Sequence, residues 1–252
     1  MKAKFYVRNF NPWGHKYSKG TVTVLTVVNL NGAHLFNRQH RITYPTTIWL
    51  SCHERIFNEK TTKNNCKKKR SKICLELVDK VNLKKQINFC LDNVFSHNKN
   101  IETASLYLPI KNEISPFIFK SIFEKKNLII SMPVIDIKNK SLNFKKWNQN
   151  DKLIKGPMGN LEPLKNKKSI MPQILIVPML SFDRDLFRLG YGGGYYDKTI
   201  YLLKNYFKKE KKFFITIGLA YSSQEIKNIP KETHDMSLDY IITEKEVLSK
   251  LH

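Results

Sequence analysis

The sequence of 252 residues lacks several features that point to particular protein classes. It has no Cys-x-x-Cys pair and no histidine cluster at zinc-ligand spacing, so its four cysteines indicate free thiols in a reducing compartment. No apolar run approaches the roughly 18 to 20 residues that a membrane span needs. No internal repeat is visible either. These absences favour a soluble globular protein without a zinc site, a transmembrane helix or a repeat architecture.

Acidic residues are also few, since 21 Asp and Glu stand against 44 Lys and Arg, a formal net charge of +23. Such an excess is typical of proteins that bind nucleic acid. Here, however, lysine dominates over arginine, and the lysines are spread through predicted helices and loops instead of one stripe interleaved with aromatic residues. We interpret the charge as a composition bias on a solvated surface, which also helps to attract anionic ligands.

The first 62 residues differ from the rest of the chain. No acidic residue precedes Glu54, whereas this stretch contains seven basic residues among Ser, Thr and aromatic side chains. That composition is typical of an organelle transit peptide, although no clear amphipathic helix is visible. A start codon assigned too early would produce the same kind of segment, and both interpretations stay open. We therefore expect a basic N-terminal extension at 1–62 and a single domain at 63–252.

Within the domain, helical patterns alternate with short apolar runs. Helices are predicted at 67–95, with a break near Asn82, and at 116–126, and a strand at 103–108. Further strands are predicted at the apolar runs 128–130, 174–177, 213–217 and 240–242. Short continuous apolar runs are typical of parallel strands that are buried on both faces. Helices between such strands imply right-handed crossovers, so the fold class is α/β, a three-layer α/β/α sandwich with a mainly parallel sheet.

The most informative segment is a glycine-rich loop after the run 174–177. Four of the ten glycines lie within five residues, at positions 190, 192, 193 and 194. The next segment places Ile200, Leu203 and Phe207 on one helical face, so the loop meets a helix N-terminus, where a positive partial charge attracts anions. Arg188 and Lys198 add full charges. This layout predicts a phosphate-binding site, whereas a glycine run on its own is more often a flexible turn.

The residues around this loop form a longer pattern. Phe182-Asp183 precede it, Arg188-Leu189-Gly190 enter it and Tyr195-Tyr196-Asp197 leave it. Other segments of the same pattern follow the chain order, at 106–114 (which contains Glu113), 156–163, 218–224, 230–235 and 239–244. Together these segments resemble the 5-formyltetrahydrofolate cyclo-ligase family, over about residues 63 to 252.

The resemblance implies a Rossmann-like arrangement of the sheet and an ATP-dependent ring closure. In this reaction 5-formyltetrahydrofolate and ATP give 5,10-methenyltetrahydrofolate, ADP and phosphate. The formyl oxygen attacks the γ-phosphoryl group, and N10 then displaces phosphate from the imidate phosphate. The implied ligands are ATP as co-substrate, Mg²⁺ and the folate. We expect a monomer that binds neither nucleic acid nor membrane and lies in the cytoplasm, or in a mitochondrion or plastid if residues 1–62 are a transit peptide.

The resemblance also assigns roles to residues of this chain. It implies that Arg188, Tyr195 and Tyr196 are catalytic and that Asp197 and Asp235 bind Mg²⁺. Glu113, Trp147, Tyr195 and Tyr196 are implied to bind the folate. The residues implied to bind ATP are Lys63, Lys67, Arg188, Leu189, Gly190, Tyr191, Gly192, Gly193, Gly194, Tyr195 and Tyr196.

Several of these assignments have alternatives. Asp197 can instead be an acid in a first helical turn, and Trp147 an ordinary packing residue. Lys67 stands where the family has arginine, so Lys68, Lys69 or Arg70 can serve instead, or the lysines are simply exposed. Asp183 is expected to brace the loop by hydrogen bonds.

A leucine, Leu186, stands where the family commonly has glycine, so the turn must adopt a conformation that leucine accepts. Two other functions remain open: a binding protein of the same fold without turnover, and a sugar-phosphate isomerase or deacylase.

Overall fold

The computed structural model describes residues 4–6, 23–24, 26–28, 40–41, 61–67 and 79–250. The chain divides into two compact units, Met1–Lys60 and Thr61–His252. In the first unit β1 (Lys4–Tyr6) pairs antiparallel with β3 (Thr26–Val28), and β2 (Thr23–Val24) pairs antiparallel with β4 (His40–Arg41). The site residues predicted from the sequence that the structure describes all belong to the second unit.

The second unit begins with a helix, α1, at residues 61–67. The elements that follow are, in chain order, α2 (Lys80–His97), β5 (Thr103–Ser105), α3 (Lys120–Lys125), β6 (Ile129–Asp136), β7 (Ser141–Lys146), β8 (Leu153–Lys155), β9 (Leu161–Pro163), β10 (Ile174–Val177), β11 (Ser181–Phe182), β12 (Arg188–Leu189), α4 (Tyr195–Lys209), β13 (Ile215–Leu219), β14 (Tyr240–Ile242) and β15 (Val247–Ser249). Short 3₁₀ helices lie at Pro116–Phe119 and Ser222–Gln224. Among the described residues, no helix is both long and apolar enough to cross a membrane.

Seven strands form the central sheet in the order β15-β14-β13-β10-β5-β6-β7. The five inner strands are parallel, and β15 and β7 close the two edges as antiparallel strands. In the centre, Ile174 of β10 pairs with Ile215 of β13 on one side and Ala104 of β5 on the other. The carboxyl ends of the parallel strands therefore share one edge of the sheet, where ligands of open α/β sheets bind.

Helices cover both faces of this sheet because its central strands are apolar on both sides. On β10, Ile174 and Ile176 belong to one buried cluster and Leu175 and Val177 to another. The first cluster includes the apolar faces of α2 and α3, and the second the apolar face of α4. The predicted three-layer α/β/α sandwich with a mainly parallel sheet is therefore confirmed.

Some element boundaries differ from the sequence prediction. The strand predicted at 103–108 ends at Ser105, because the chain turns away after the Leu106 N–H donates to the Ser131 carbonyl. The strand predicted at 213–217 is Ile215–Leu219, and Phe214 instead stacks on Phe207 of α4.

The predicted helices also begin at different positions. The break near Asn82 is a new start, because the Asp79 side chain accepts the Asn82 N–H at 2.9 Å and caps α2. Residues 68–78 lie outside the described part of the chain. The segment predicted as a helix at 116–126 is a 3₁₀ helix followed by α3.

Candidate active site

A tight turn after β11 supports the loop that follows it. Asp183 is buried and accepts hydrogen bonds from three backbone N–H groups, those of Asp185, Phe187 and Ile229, at 3.0 to 3.1 Å. A buried carboxylate with several backbone donors fixes the path of the chain around it. The donors lie in this turn and at Ile229, so Asp183 braces the turn that precedes the glycine-rich loop.

Leu186 lies at the tip of this turn with a left-handed backbone, at φ 63°. The leucine has thus accepted the conformation that usually selects glycine. Its side chain is buried with Val177, Met179 and Leu238, and its carbonyl accepts the Leu238 N–H at 2.9 Å. Burial of the side chain offsets the backbone strain, so the departure from the family pattern leaves the turn closed.

The glycine-rich loop joins β12 to α4. Gly192 and Gly194 have φ of 97° and 67°, and Gly194 is the residue immediately before the helix. Gly193 is not among the residues with positive φ, so the left-handed positions are its two neighbours. A Cβ at Gly193 would instead lie 2.7 Å from the Tyr195 ring, which explains why a side chain is excluded there. The backbone of the loop is thus bare and exposed at the N-terminus of a helix of 15 residues.

Arg188 and Asp197 form an ion pair beneath this loop. Arg188 Nη2 lies 2.9 Å from Asp197 Oδ2, and the Arg188 side chain is only 4% exposed. Asp197 is in the first turn of α4, where the helix dipole favours an acid, and its Oδ1 accepts the Met236 N–H. Arg188 Nε is buried and has no hydrogen-bond partner among the described residues. A buried cation with an unused donor is suited to receive an anionic ligand.

Tyr196 lies against the same guanidinium, with Arg188 Cζ 5.4 Å from its ring centroid. Burial raises the pKa of the Tyr196 phenol, the Glu113 carboxylate raises it further, and Arg188 partly opposes both effects. Tyr196 therefore stays protonated at neutral pH and acts as a neutral hydroxyl.

Glu113 accepts hydrogen bonds from a neighbouring backbone N–H and from the loop. Its Oε2 accepts the Ile110 N–H at 2.8 Å, and its Oε1 accepts the Tyr191 hydroxyl at 3.2 Å. The carboxylate is 8% exposed, so these donors stabilise a charge that would be costly to bury alone. The predicted substrate-binding glutamate thus lies next to the predicted ATP-binding loop.

Helix α1 brings two lysines to the glycine-rich loop. Cys66 is buried with Leu180, Leu189 and Ile229, which fixes the helix on the domain. Lys63 Nζ lies 3.1 Å from the position of a Cβ on Gly192. Lys67, one helical turn later, has its Nζ 5.9 Å from the Tyr191 ring centroid. The structure therefore brings both predicted lysines to the glycine-rich loop, whereas Lys68, Lys69 and Arg70 lie outside the described residues.

Comparison with known proteins identifies the family of this chain. Residues 66–244 match the model of the 5-formyltetrahydrofolate cyclo-ligase family. The chain belongs to this family. The resemblance predicted from the sequence is thereby confirmed.

A 5-formyltetrahydrofolate cyclo-ligase of Haemophilus influenzae is 33% identical over 145 residues, which cover 56% of this chain and 74% of that protein. Two solved structures share the fold. The 5,10-methenyltetrahydrofolate synthetase of Aquifex aeolicus has a TM-score of 0.56 at 22% identity, with 77% of this chain and 93% of that chain covered. The synthetase of Mycoplasma pneumoniae has a TM-score of 0.54 at 23% identity, with coverages of 74% and 98%. These likenesses support the predicted Rossmann-like arrangement.

Two residues of the family pattern serve mainly as supports in this chain. The Leu189 side chain is buried beside Cys66, and its carbonyl accepts the Leu180 N–H at 2.8 Å. Gly190 leaves room for Arg188, whose Nη1 lies 3.0 Å from the position of a Cβ. Both residues set the direction in which the chain enters the loop.

The predicted metal carboxylates lie on neighbouring segments. Met236, which binds Asp197, directly follows Asp235, and Asp235 Oδ2 accepts the Glu232 N–H at 2.6 Å. Within the described ranges, no group of three or more His, Cys, Asp or Glu side chains forms a metal site. His234 is exposed beside Glu232, consistent with a loop residue.

Trp147 is buried in the core cluster of α2 and α3, and its ring centroid lies 5.6 Å from that of Phe117. These contacts favour the packing interpretation of Trp147. Its indole Nε1 is buried without a hydrogen-bond partner among the described residues.

Sequence reasoning missed two contacts of this site. It gave Arg188 and Asp197 separate ligands, whereas they pair with each other. Their separation along the chain spans a loop and a helix start, so no periodicity signals the pair. It also missed the Tyr191 hydroxyl on Glu113, because the two residues are 78 positions apart.

Proposed function

We propose that this chain catalyses the ATP-dependent conversion of 5-formyltetrahydrofolate into 5,10-methenyltetrahydrofolate, with release of ADP and phosphate. It is a ligase of folate metabolism. The observation that carries the proposal is the Tyr191 hydroxyl bound to Glu113, because it joins the glycine-rich loop to the glutamate expected to bind the folate. The two substrates of the reaction then meet at one edge of the sheet.

ATP binds along the glycine-rich loop. The backbone from Gly190 to Gly194, which is exposed from Tyr191 onward, donates N–H groups to the phosphates, and the N-terminus of α4 adds its positive partial charge. Lys63, Lys67 and Arg188 add full positive charges close to the loop. These N–H groups and basic side chains mainly align the γ-phosphoryl group and stabilise its charge, which is what phosphoryl transfer requires of a protein.

The folate binds on the side of the loop where Glu113, Tyr195 and Tyr196 lie. Glu113, already oriented by Ile110 and Tyr191, accepts N–H groups of the pterin ring. The neutral Tyr196 hydroxyl donates a hydrogen bond without adding negative charge near the phosphates. The formyl oxygen then attacks the γ-phosphoryl group, and N10 displaces phosphate from the resulting imidate phosphate.

Asp197 and Asp235 fit a Mg²⁺ ion that ATP brings with it. Mg²⁺ needs only one or two protein carboxylates beside phosphate oxygens and waters, so a pair of aspartates on adjacent segments is sufficient. When bound, the ion neutralises charge on the phosphates. Asp197 keeps its position through Arg188 and the Met236 N–H, and Asp235 through the Glu232 N–H.

The test is turnover by the purified full chain. We expect 5-formyltetrahydrofolate to give the methenyl product, followed by its near-ultraviolet absorbance, only when both ATP and Mg²⁺ are present. Omission of either should abolish the signal, and the product should appear in equal amount to ADP. A folded preparation that binds ATP and the folate but forms no product would overturn the proposal in favour of a binding protein.

The domain, proposed at 63–252, acts as a monomer and binds neither nucleic acid nor membrane. Residues 1–62 lie outside it. The protein is cytoplasmic, or enters a mitochondrion or plastid if residues 1–62 direct it there. Sedimentation of the purified chain tests whether it is a monomer. The location of tagged chains with and without residues 1–62 tests where the protein lies in the cell.

A further inference from the structure

Tyr191 is the residue of the glycine-rich loop that reaches across to the glutamate side of the site. Its side chain is 45% exposed, yet its hydroxyl is 3.2 Å from Glu113 Oε1. The hydroxyl donates, because the carboxylate oxygen accepts. One end of Tyr191 is therefore part of the loop backbone, and the other end is bound to a buried carboxylate on a different segment.

This contact contributes to the orientation of Glu113. Its two oxygens are held by different donors, Oε2 by the Ile110 N–H and Oε1 by Tyr191. Each of these two hydrogen bonds restricts the direction of one carboxylate oxygen. The Ile110 donor is local, whereas the Tyr191 donor comes from the loop.

The position of Tyr191 depends in turn on the conformation of the loop. It stands between Gly190 and Gly192, and Gly192 has the largest positive φ of the loop, 97°. Lys63 lies against Gly192, and Lys67 lies 5.9 Å from the Tyr191 ring centroid. Any ligand that draws these lysines and the loop backbone towards it therefore acts on the Tyr191 ring as well.

We propose that Tyr191 is a positioning residue that couples the binding of the two substrates. The inference rests on the proposed function, since it takes ATP as the ligand of the loop and the folate as the ligand of Glu113. ATP orders the loop and holds the Tyr191 hydroxyl on Glu113, which sets the carboxylate for the folate. By thermodynamic linkage, the folate then raises the affinity for ATP by the same factor.

Calorimetric titration measures this coupling directly. 5-Formyltetrahydrofolate is titrated into the full chain with and without a β,γ-imido analogue of ATP, and the analogue with and without the folate. In the wild type we expect each ligand to tighten the other by about 5- to 10-fold, within the usual range of coupling between sites. In Tyr191→Phe, which keeps the ring beside Lys67, the factor should fall to about 2-fold or less. Wild-type coupling in this variant, or none in the wild type, would overturn the inference.

Tyr201→Phe is the matched control, because it removes a hydroxyl from an exposed tyrosine of α4 outside the site. It should keep the wild-type coupling factor. In steady state, Tyr191→Phe should raise the folate KM by about 10-fold, the magnitude expected of a hydrogen bond to a charged group, and leave kcat within about 2-fold. A general loss of stability would instead lower the melting temperature and the active fraction together.

A double-mutant cycle tests whether Tyr191 acts through Glu113. The folate affinity of Tyr191→Phe, Glu113→Gln and the double variant should be non-additive, because the second change removes a contact that the first has already broken. Additive losses would overturn the positioning role. Absence of turnover in a wild type that still binds both ligands cooperatively would overturn the proposed function and leave the coupling role of Tyr191 standing.

Discussion

Two turns flank β12, and both contain left-handed backbone, but they are built in opposite ways. In the turn at 183–187, Leu186 has φ 63° and its side chain is 2% exposed. In the loop at 190–194, Gly192 and Gly194 have φ of 97° and 67°, and both are exposed. The turn at 183–187 thus has a buried leucine at its left-handed position, whereas the loop at 190–194 has glycines there.

The difference follows from what each turn contacts. A left-handed leucine costs about 1 to 2 kcal/mol, which burial of its side chain, worth about 1.5 to 3 kcal/mol, offsets. Apart from its chain neighbours and the adjoining helix backbone, no atom of the described residues lies within 4 Å of the position of a Cβ on Gly194, so a side chain there would gain little packing. The turn at 183–187 thus gains packing for its strained residue, whereas the loop that we propose to bind ATP keeps its backbone open.

The largest effect is expected from a substitution that adds a side chain to the glycine-rich loop. In Gly192→Val, a β-branched residue at φ 97° would be strained and would displace Lys63, so ATP affinity should fall by more than about 100-fold. Titration with an ATP analogue measures it. Gly159→Val is the control, because Gly159 has φ 81° in the β8–β9 hairpin and its substitution should leave ATP affinity near the wild-type value. Equal losses in both variants would show that strain alone is responsible.

Truncation of the buried leucine in the turn at 183–187 should instead lower the stability of the protein. Leu186→Ala should lower the free energy of unfolding by about 2 to 4 kcal/mol, since it removes buried methyl groups and keeps the strain. Leu186→Gly relieves the strain, so we expect it to be as stable as the alanine variant or about 1 kcal/mol more stable. Urea unfolding measures both. At Leu203, in the middle of α4, the order should be the usual one, with alanine more stable than glycine.

Arg188 connects the two turns, and its replacement should impair activity. Arg188→Ala removes a charge-assisted contact worth roughly 1.5 to 3 kcal/mol, so kcat/KM for ATP should fall about 10- to 100-fold. Lys67→Ala should cost less, because an ammonium is a point charge near an exposed ring. Arg184→Ala, an exposed arginine that binds Glu225 and Glu246, is the matched control. Losses in Arg184→Ala as large as in Arg188→Ala would contradict a specific role for Arg188.

The smallest effect is expected in the pH dependence of stability, through Asp185 in the turn at 183–187. The hydrogen bond from Lys231 lowers the pKa of Asp185, a group exposed at the turn. Because the folded pKa lies below the unfolded one, this contribution to stability is present above the unfolded pKa, about 3.9, and is lost as the pH falls through the folded value. Unfolding of Asp185→Asn should therefore depend slightly less on pH below about 4 than unfolding of the wild type. ATP affinity measured at pH 7 should not change.

The parts of this molecule that local pattern determines were predictable. The apolar runs at 174–177 and 240–242 became strands at the same residues, and the face of Ile200, Leu203 and Phe207 became the buried face of α4. The loop and its lysines were predictable as well, from the longer pattern that marks the family. These features follow from periodicity or from residues close together in the chain.

What depends on distant partners was not predictable. β5 ends where its pairing with the neighbouring strand β6 stops, and the hydrogen bond between Tyr191 and Glu113 joins residues 78 positions apart. Nor does a leucine signal a left-handed backbone; only the cavity formed by β10 and the segment at Leu238 makes that conformation acceptable for Leu186. The predictions for 1–62 and for Lys68, Lys69 and Arg70 remain predictions.

The strand order has a consequence for the synthesis of the protein. β5 lies between β6, which follows it closely, and β10, and the Glu102 N–H binds the side chain of Gln173, 71 positions later. A growing chain can thus pair β5 with β6 early, but the opposite edge of β5 stays open until β10 emerges from the ribosome. β13, β14 and β15 add outward from there, in the order of synthesis. Once β5, β6 and β7 are paired, the strands synthesised later extend the sheet from the open edge of β5, and β15 forms the final antiparallel edge.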